Sequence, residues 1–160
     1  MTVTVSASLN PGAVAIDANV MIAVSSREAG RDVIATAELA NYASLGYEWF
    51  APGTIISETL YILCGKLNSG VLSPTDYATA VQTFARTMNS VLPPPSGDAT
   101  LIQRAEQIGS GYGCSRSADG IYIALAEQLA LSRPTVLLTF DTGLPKQAAM
   151  HAPTVTVHLL

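Results

Sequence analysis

Short apolar runs alternate along the chain with longer stretches in which apolar residues recur at helical spacing. The short runs have the length of strands and stop at residues that favour turns, such as Pro52 and Gly53. They predict strands over residues 14–16, 48–51, 135–139 and 154–157, with a further edge strand over residues 2–6. This alternation is typical of a parallel sheet covered by helices.

The helical stretches begin and end at residues that commonly cap helices. Ser73 followed by Pro74 is a typical start, and glycines mark several stops. The predicted helices cover residues 30–44, 54–67, 74–88 and 98–108, and a last one runs to Leu129 from an N-cap at Ser115 or Ser117. The whole pattern predicts a single domain over residues 1–160, of the α/β class, with three α/β/α layers around a central, mostly parallel sheet of about five strands.

Composition narrows the classes of function. The 160 residues are 49% hydrophobic and 12% charged, which argues against intrinsic disorder. Eight Lys and Arg stand against twelve Asp and Glu, so the net charge of -4 gives no overall positive field for nucleic acid. No apolar run is long enough to span a membrane and the first residues do not resemble a secretion signal, so we expect a cytoplasmic protein.

The two cysteines do not suggest a metal or disulfide framework. Cys64 and Cys114 stand alone, without a CxxC pair or Cys/His spacing. We therefore expect two small buried thiols.

Acidic residues stand where predicted strands or loops lead into helices. Asp17 follows the first strand, Asp141 follows the strand over 135–139, and Asp119 begins the last long helix. Each can be a helix cap when taken singly, but Asp17 and Asp141 are expected at the same edge of a parallel sheet. Glu58 enters from the helix after the second strand, where a solvent-exposed position is the alternative interpretation. Converging carboxylates repel, so they need protons or a divalent cation, and oxygen ligands favour Mg²⁺ or Mn²⁺.

The segments around these acids resemble the PIN-domain family of metal-dependent nucleases, which includes the toxin ribonucleases of type II toxin–antitoxin pairs. The resemblance rests on order, spacing and context over most of the chain, and its four segments read IDANVMI, SETLY, SADGIYIALAEQL and LLTFDTGL. It implies a Mg²⁺ or Mn²⁺ centre held by Asp17, Glu58, Asp119 and Asp141, and endonucleolytic cleavage of RNA.

The resemblance also implies roles for neighbouring residues. Asn19 and Thr139 would orient the acids by hydrogen bonds, or else make ordinary contacts at helix turns. Ser117 would do the same, or serve only as an N-cap. Arg116 and Lys146 are the cations expected to flank the site, with ordinary surface charge as the alternative. Gly120 stands where the family more often has alanine, and a glycine there should weaken the helix by up to about 1 kcal/mol.

Other functional classes fit less well. No GxxxxGK[ST] or GxGxxG motif is present, and the two histidines, His151 and His158, lie near the C-terminus without a nucleophile motif. The main alternative is a non-catalytic PIN-fold module for protein interaction or RNA docking, which metal affinity would distinguish. Resemblance to toxin members further implies a homodimer and an antitoxin protein as partner, although the apolar residues can equally form a well-filled core.

Overall fold

The computed structural model describes residues 10–160, so the edge strand expected over residues 2–6 lies outside the described part. Residues 10–160 form five parallel strands in the order β3-β2-β1-β4-β5. The strands are β1 (Ala13–Ile16), β2 (Glu48–Phe50), β3 (Val91–Leu92), β4 (Thr135–Thr139) and β5 (Thr156–Leu159). The predicted three-layer α/β class with a parallel sheet is confirmed.

Seven α-helices of the described residues surround this sheet. They are α1 (Ala18–Ser26), α2 (Arg31–Ser44), α3 (Thr54–Asn68), α4 (Pro74–Met88), α5 (Ile102–Gly111), α6 (Asp119–Ala130) and α7 (Leu144–His151). A turn of 3-10 helix at Asp98–Leu101 leads into α5. Right-handed connections place α1 to α4 on one face of the sheet and α5 to α7 on the other.

Several boundaries differ from the sequence prediction for local reasons. β3 is only two residues long, too short to produce an alternating pattern, and it was not predicted. The last strand, β5, begins two residues later than predicted. Val155 still belongs to the turn that follows α7, because its N–H donates to the carbonyl of Ala152. Ser73 caps α4 as predicted, with its hydroxyl accepting from the Asp76 N–H at 3.1 Å.

The predicted cap of the last long helix is wrong. α6 begins at Asp119 with Ala118 as its N-cap residue, and no side chain caps it. The hydroxyl of Ser115 instead donates to the Tyr112 carbonyl inside the preceding turn, and Ser117 is exposed. The turn over residues 112–118 therefore remains non-helical up to the acid itself.

The core lies on both faces of β1, the central strand, and of β4 beside it. All four residues of β1 are fully buried, and Leu137 and Leu138 of β4 are buried with them. Helix α6, which covers one face of the sheet, contributes Tyr122, Ile123 and Leu125, and these are also buried. The sequence prediction of buried thiols is wrong, because Cys64 lies on the outer side of α3 and Cys114 lies in the exposed turn before α6.

Gly120 has a packing role that helix propensity does not reveal. A Cβ atom at this position would lie 2.6 Å from the carbonyl oxygen of Ala105 on α5, a contact with backbone that cannot move aside easily. The glycine therefore allows α5 and α6 to approach closely, and the expected weakening of the helix is offset by this packing.

We predict that Gly120→Ala destabilises the protein by about 1–3 kcal/mol, because overpacking against backbone outweighs the gain in helix propensity. Urea unfolding followed by circular dichroism measures the change. Gly65→Ala on α3 is the matched control, since nothing lies within 4 Å of a Cβ atom at that position. A stability of Gly120→Ala equal to or above that of the wild type would contradict this account.

Candidate active site

The carboxyl ends of β1 and β4 are adjacent near the centre of the sheet. From β1 the chain continues to β2 on one side, and from β4 it continues to β5 on the other side. β1 ends at Ile16 and pairs with Leu138 of β4, so the next residues of the two strands, Asp17 and Thr139, are neighbours. The N–H of Asp17 donates to the carbonyl of Leu138 at 3.1 Å, which continues the pairing. Such a reversal of strand order creates a crevice in which α/β proteins bind ligands.

Asp17 is held by side chains from both strand ends. The hydroxyl of Thr139 donates to Asp17 Oδ2 at 2.6 Å, and the amide of Asn19 donates to the same oxygen at 2.8 Å. Asn19 also donates to the Thr139 hydroxyl at 3.1 Å and accepts from the N–H of Phe140. Asp17 makes no side-chain cap of α1, so the capping alternative does not explain this carboxylate.

Burial gives Asp17 an unusual ionisation. The residue is only 6% exposed, and burial raises its pKa to about 6, against the lowering effect of the Thr139 hydrogen bond. The negative charges of Asp119 and Glu58 raise this pKa further. In residues 10–160 no lysine, arginine or histidine forms an ion pair with Asp17 or Glu58.

Glu58 reaches the same region from α3. Its Oε2 accepts a 2.6 Å hydrogen bond from the hydroxyl of Tyr122, a buried residue of α6 on the opposite face of the sheet. Burial, together with this carboxylate, raises the pKa of Tyr122, so the phenol remains a donor. Sequence reasoning missed Tyr122, although its spacing of three from Asp119 puts both side chains on one face of α6.

Asp119 and Asp141 are joined by Arg116. Its Nε donates to Asp119 Oδ2 at 3.0 Å, and its Nη2 contacts Asp141 Oδ2. Burial, with Asp141 and Glu58 nearby, raises the pKa of Asp119 despite the arginine. Burial alone would also raise the pKa of Asp141, but the hydrogen bonds from Arg116 and from the Gly143 N–H together lower it.

The charges of the four predicted acids thus affect one another, since Asp119 and Glu58 act on Asp17, and Asp141 and Glu58 act on Asp119. Two other predicted residues take no part in these interactions. The side chain of Ser117 is exposed and does not bond to any of the acids in the described structure. Lys146 is exposed on α7 and forms no ion pair among residues 10–160. Arg116 was expected only to flank the site, and instead lies between two of its carboxylates.

In the described part of the chain, no group of three or more His, Cys, Asp or Glu side chains is gathered closely enough to hold one metal ion. Tyr122 binds one oxygen of Glu58, and Arg116 binds one oxygen each of Asp119 and Asp141. The donor set still suits a hard divalent cation, since it consists of carboxylates and one of them is buried without a cationic partner.

Comparison with known families identifies the fold. The family model described as PIN domain matches residues 14–150, which include all four acids. The chain belongs to the PIN-domain family. No curated protein matches this PIN domain at a significant level. PIN domains are generally nucleases, and PIN nucleases typically use divalent metal ions.

Within residues 10–160 the structure has no helix long and apolar enough to cross a membrane.

We predict that Asp17→Asn stabilises the metal-free protein at neutral pH and that the gain disappears on acidification. The folded-state pKa of about 6 lies above the ordinary value of 3.8, so the folded state takes up a proton more readily. The wild type therefore loses stability as the pH rises from about 4 to about 6, by up to about 3 kcal/mol. The neutral amide of the Asp17→Asn variant carries no such penalty.

Urea unfolding of both proteins in EDTA at pH 4, 5, 6 and 7.5 measures this difference. Glu106→Gln, which neutralises an exposed carboxylate on α5, controls for the change in net charge. Stability curves of wild type and Asp17→Asn that stay parallel across this range would show that burial of Asp17 carries no penalty.

Proposed function

We propose that this PIN domain is a divalent-metal-dependent endoribonuclease in which Asp17, Glu58, Asp119 and Asp141 hold Mg²⁺ or Mn²⁺. The observation that carries the proposal is the buried Asp17 carboxylate, coupled to Asp119 and Glu58 and lacking a cationic partner in the described structure. An excess of negative charge at the crevice is unfavourable unless a cation binds there. Membership of a family of nucleases supports the same conclusion.

Residues of the chain have distinct tasks in this mechanism. Thr139 and Asn19 orient Asp17 through its Oδ2, and Tyr122 orients Glu58. When bound, the divalent cation supplies Lewis acidity to a scissile phosphodiester and makes water a better nucleophile at neutral pH. Arg116 and Lys146 are the cations proposed to contact the RNA phosphates. With a net charge of -4, the metal-free protein should bind RNA only weakly.

We also propose that residues 1–160 form one domain of a cytoplasmic protein. In this proposal the protein is a toxin that forms a homodimer and binds an antitoxin protein. Helix α3 supports the protein contacts, because four of its large apolar residues are between 37% and 78% exposed: Ile56, Leu60, Tyr61 and Ile62. Exposed large apolar residues on one helix support a surface that binds protein. Light scattering coupled to size-exclusion chromatography will give the mass of a dimer if the proposal is right.

We predict that the wild type binds Mn²⁺ in isothermal titration calorimetry and that Asp17→Asn abolishes this binding, because one ligand and its charge are lost. Glu106→Gln should bind Mn²⁺ like the wild type. This measurement requires no knowledge of the RNA. Absence of Mn²⁺ binding by the wild type would favour the alternative, a non-catalytic module for protein interaction or RNA docking.

We further predict that Asp119→Asn abolishes Mn²⁺-dependent cleavage of fluorescent RNA while the fold is kept. The variant no longer buries a charged carboxylate or repels Asp141 and Glu58, and this should offset the weakened contact with Arg116, so it should be at least as stable in EDTA as the wild type. A DNA strand of the same sequence should not be cleaved if the substrate is RNA. Marked unfolding of Asp119→Asn would indicate that the carboxylate serves chiefly to stabilise the start of α6.

A further inference from the structure

Arg116 binds one carboxylate oxygen of Asp119 and one of Asp141, where a cation shared by these two acids would also bind. It binds Oδ2 of both acids, and the remaining oxygen of Asp141, Oδ1, accepts from the Gly143 N–H at 2.8 Å. The side chains of all three are between 22% and 29% exposed, so water screens these ion pairs only in part. In the described structure no other basic side chain pairs with either acid.

The position of Arg116 is determined by the surrounding chain. Its carbonyl accepts from the N–H of Asp119 at 3.1 Å and from the side-chain amide of Gln147 at 3.3 Å. Its guanidinium lies against Gly143, where a Cβ atom would be 2.6 Å from the guanidinium carbon. The backbone of Arg116 is thus anchored to α6 and α7, and the absence of a side chain at position 143 makes the space for its head group.

A guanidinium and a divalent cation cannot share these oxygens without strong repulsion. Both are cations, and a metal bound through the Oδ2 atoms of Asp119 and Asp141 would lie within bonding distance of the oxygens that the guanidinium already contacts. The side chain of Arg116 is long and partly exposed, so it can rotate away while its backbone stays in place. Withdrawal would leave the repulsion between Asp119 and Asp141 to be balanced by the incoming metal.

We propose that Arg116 is an exchangeable counter-cation: it holds Asp119 and Asp141 in the metal-free protein and leaves them when the divalent cation binds. The inference rests on the proposed function, since it needs a metal at these acids. Arg116 is then a positioning residue that sets the metal affinity of the site. It keeps the two carboxylates in place until the metal arrives.

Two variants test the exchange in different ways. Arg116→Ala removes the competing cation altogether. Gly143→Ala keeps the charge but puts a methyl group where the guanidinium lies, and the φ of -84° at Gly143 suits alanine. Gly65→Ala, at an open position on α3, is the matched control for the glycine change.

Isothermal titration calorimetry with MnCl₂ should give a dissociation constant about tenfold lower for Arg116→Ala than for the wild type, and several-fold lower for Gly143→Ala. Thermal unfolding should show Arg116→Ala to be less stable than the wild type in EDTA and to gain more from Mn²⁺. A merely structural arginine would give the opposite result, since damage to the site weakens metal binding.

The outcomes separate the two proposals. Mn²⁺ affinity of Arg116→Ala equal to or below that of a wild type that binds Mn²⁺ overturns the exchange and leaves the proposed metal site standing. Tighter binding confined to Arg116→Ala, with Gly143→Ala unchanged, also overturns it, because loss of charge alone would then explain the effect. Absence of Mn²⁺ binding by the wild type and by both variants overturns the exchange together with the proposed function.

Discussion

The hydroxyl of Thr139 holds the centre of the site together. It donates to Asp17 Oδ2 at 2.6 Å and accepts from the amide of Asn19 at 3.1 Å and from the N–H of Asp141 at 2.9 Å. A hydroxyl has one proton and two lone pairs, so its bonding capacity is fully used. One fully buried side chain therefore links the ends of β1 and β4 to the start of α1. The burial of Asp17 depends on these bonds, because an unpaired buried carboxylate would cost several kcal/mol.

The negative charges of the four acids are stabilised in two different ways. Asp17 and Glu58 receive hydrogen bonds from neutral donors, which stabilise a carboxylate without cancelling its charge. Asp119 and Asp141 instead share the guanidinium of Arg116. One arginine among four carboxylates leaves the crevice with excess negative charge, which lowers the stability of the metal-free fold and favours a divalent cation. Such a compromise between stability and ligand binding is common at functional sites.

Local patterns were enough to predict the parallel sheet, most helices and the acids at the strand ends, because apolar periodicity and strand-to-helix transitions are properties of neighbouring residues. Contacts between distant segments were not accessible in this way. The space beside Gly143 for Arg116 and the hydrogen bond between Tyr122 and Glu58 both depend on how α3, α6 and α7 pack. The exposure of Cys64 likewise depends on α3 being covered on one side only. A spacing of three residues in the sequence was the one local signal that relates Asp119 to Arg116, in the turn before α6, and to Tyr122, within α6.

The packing of the two helical layers also determines where the acids lie. Glu58 comes from α3 on one face of the sheet, whereas Asp119 comes from α6 on the other. The residue after Asp119 is Gly120, whose missing side chain lets the backbone of α6 approach the carbonyl of Ala105 on α5. Because Asp119 is the first residue of α6, the depth at which α6 packs against α5 sets the position of its carboxylate relative to Glu58 and Asp17. A glycine that is unfavourable by helix propensity thereby positions an acid of the site, which explains why propensity alone misjudges it.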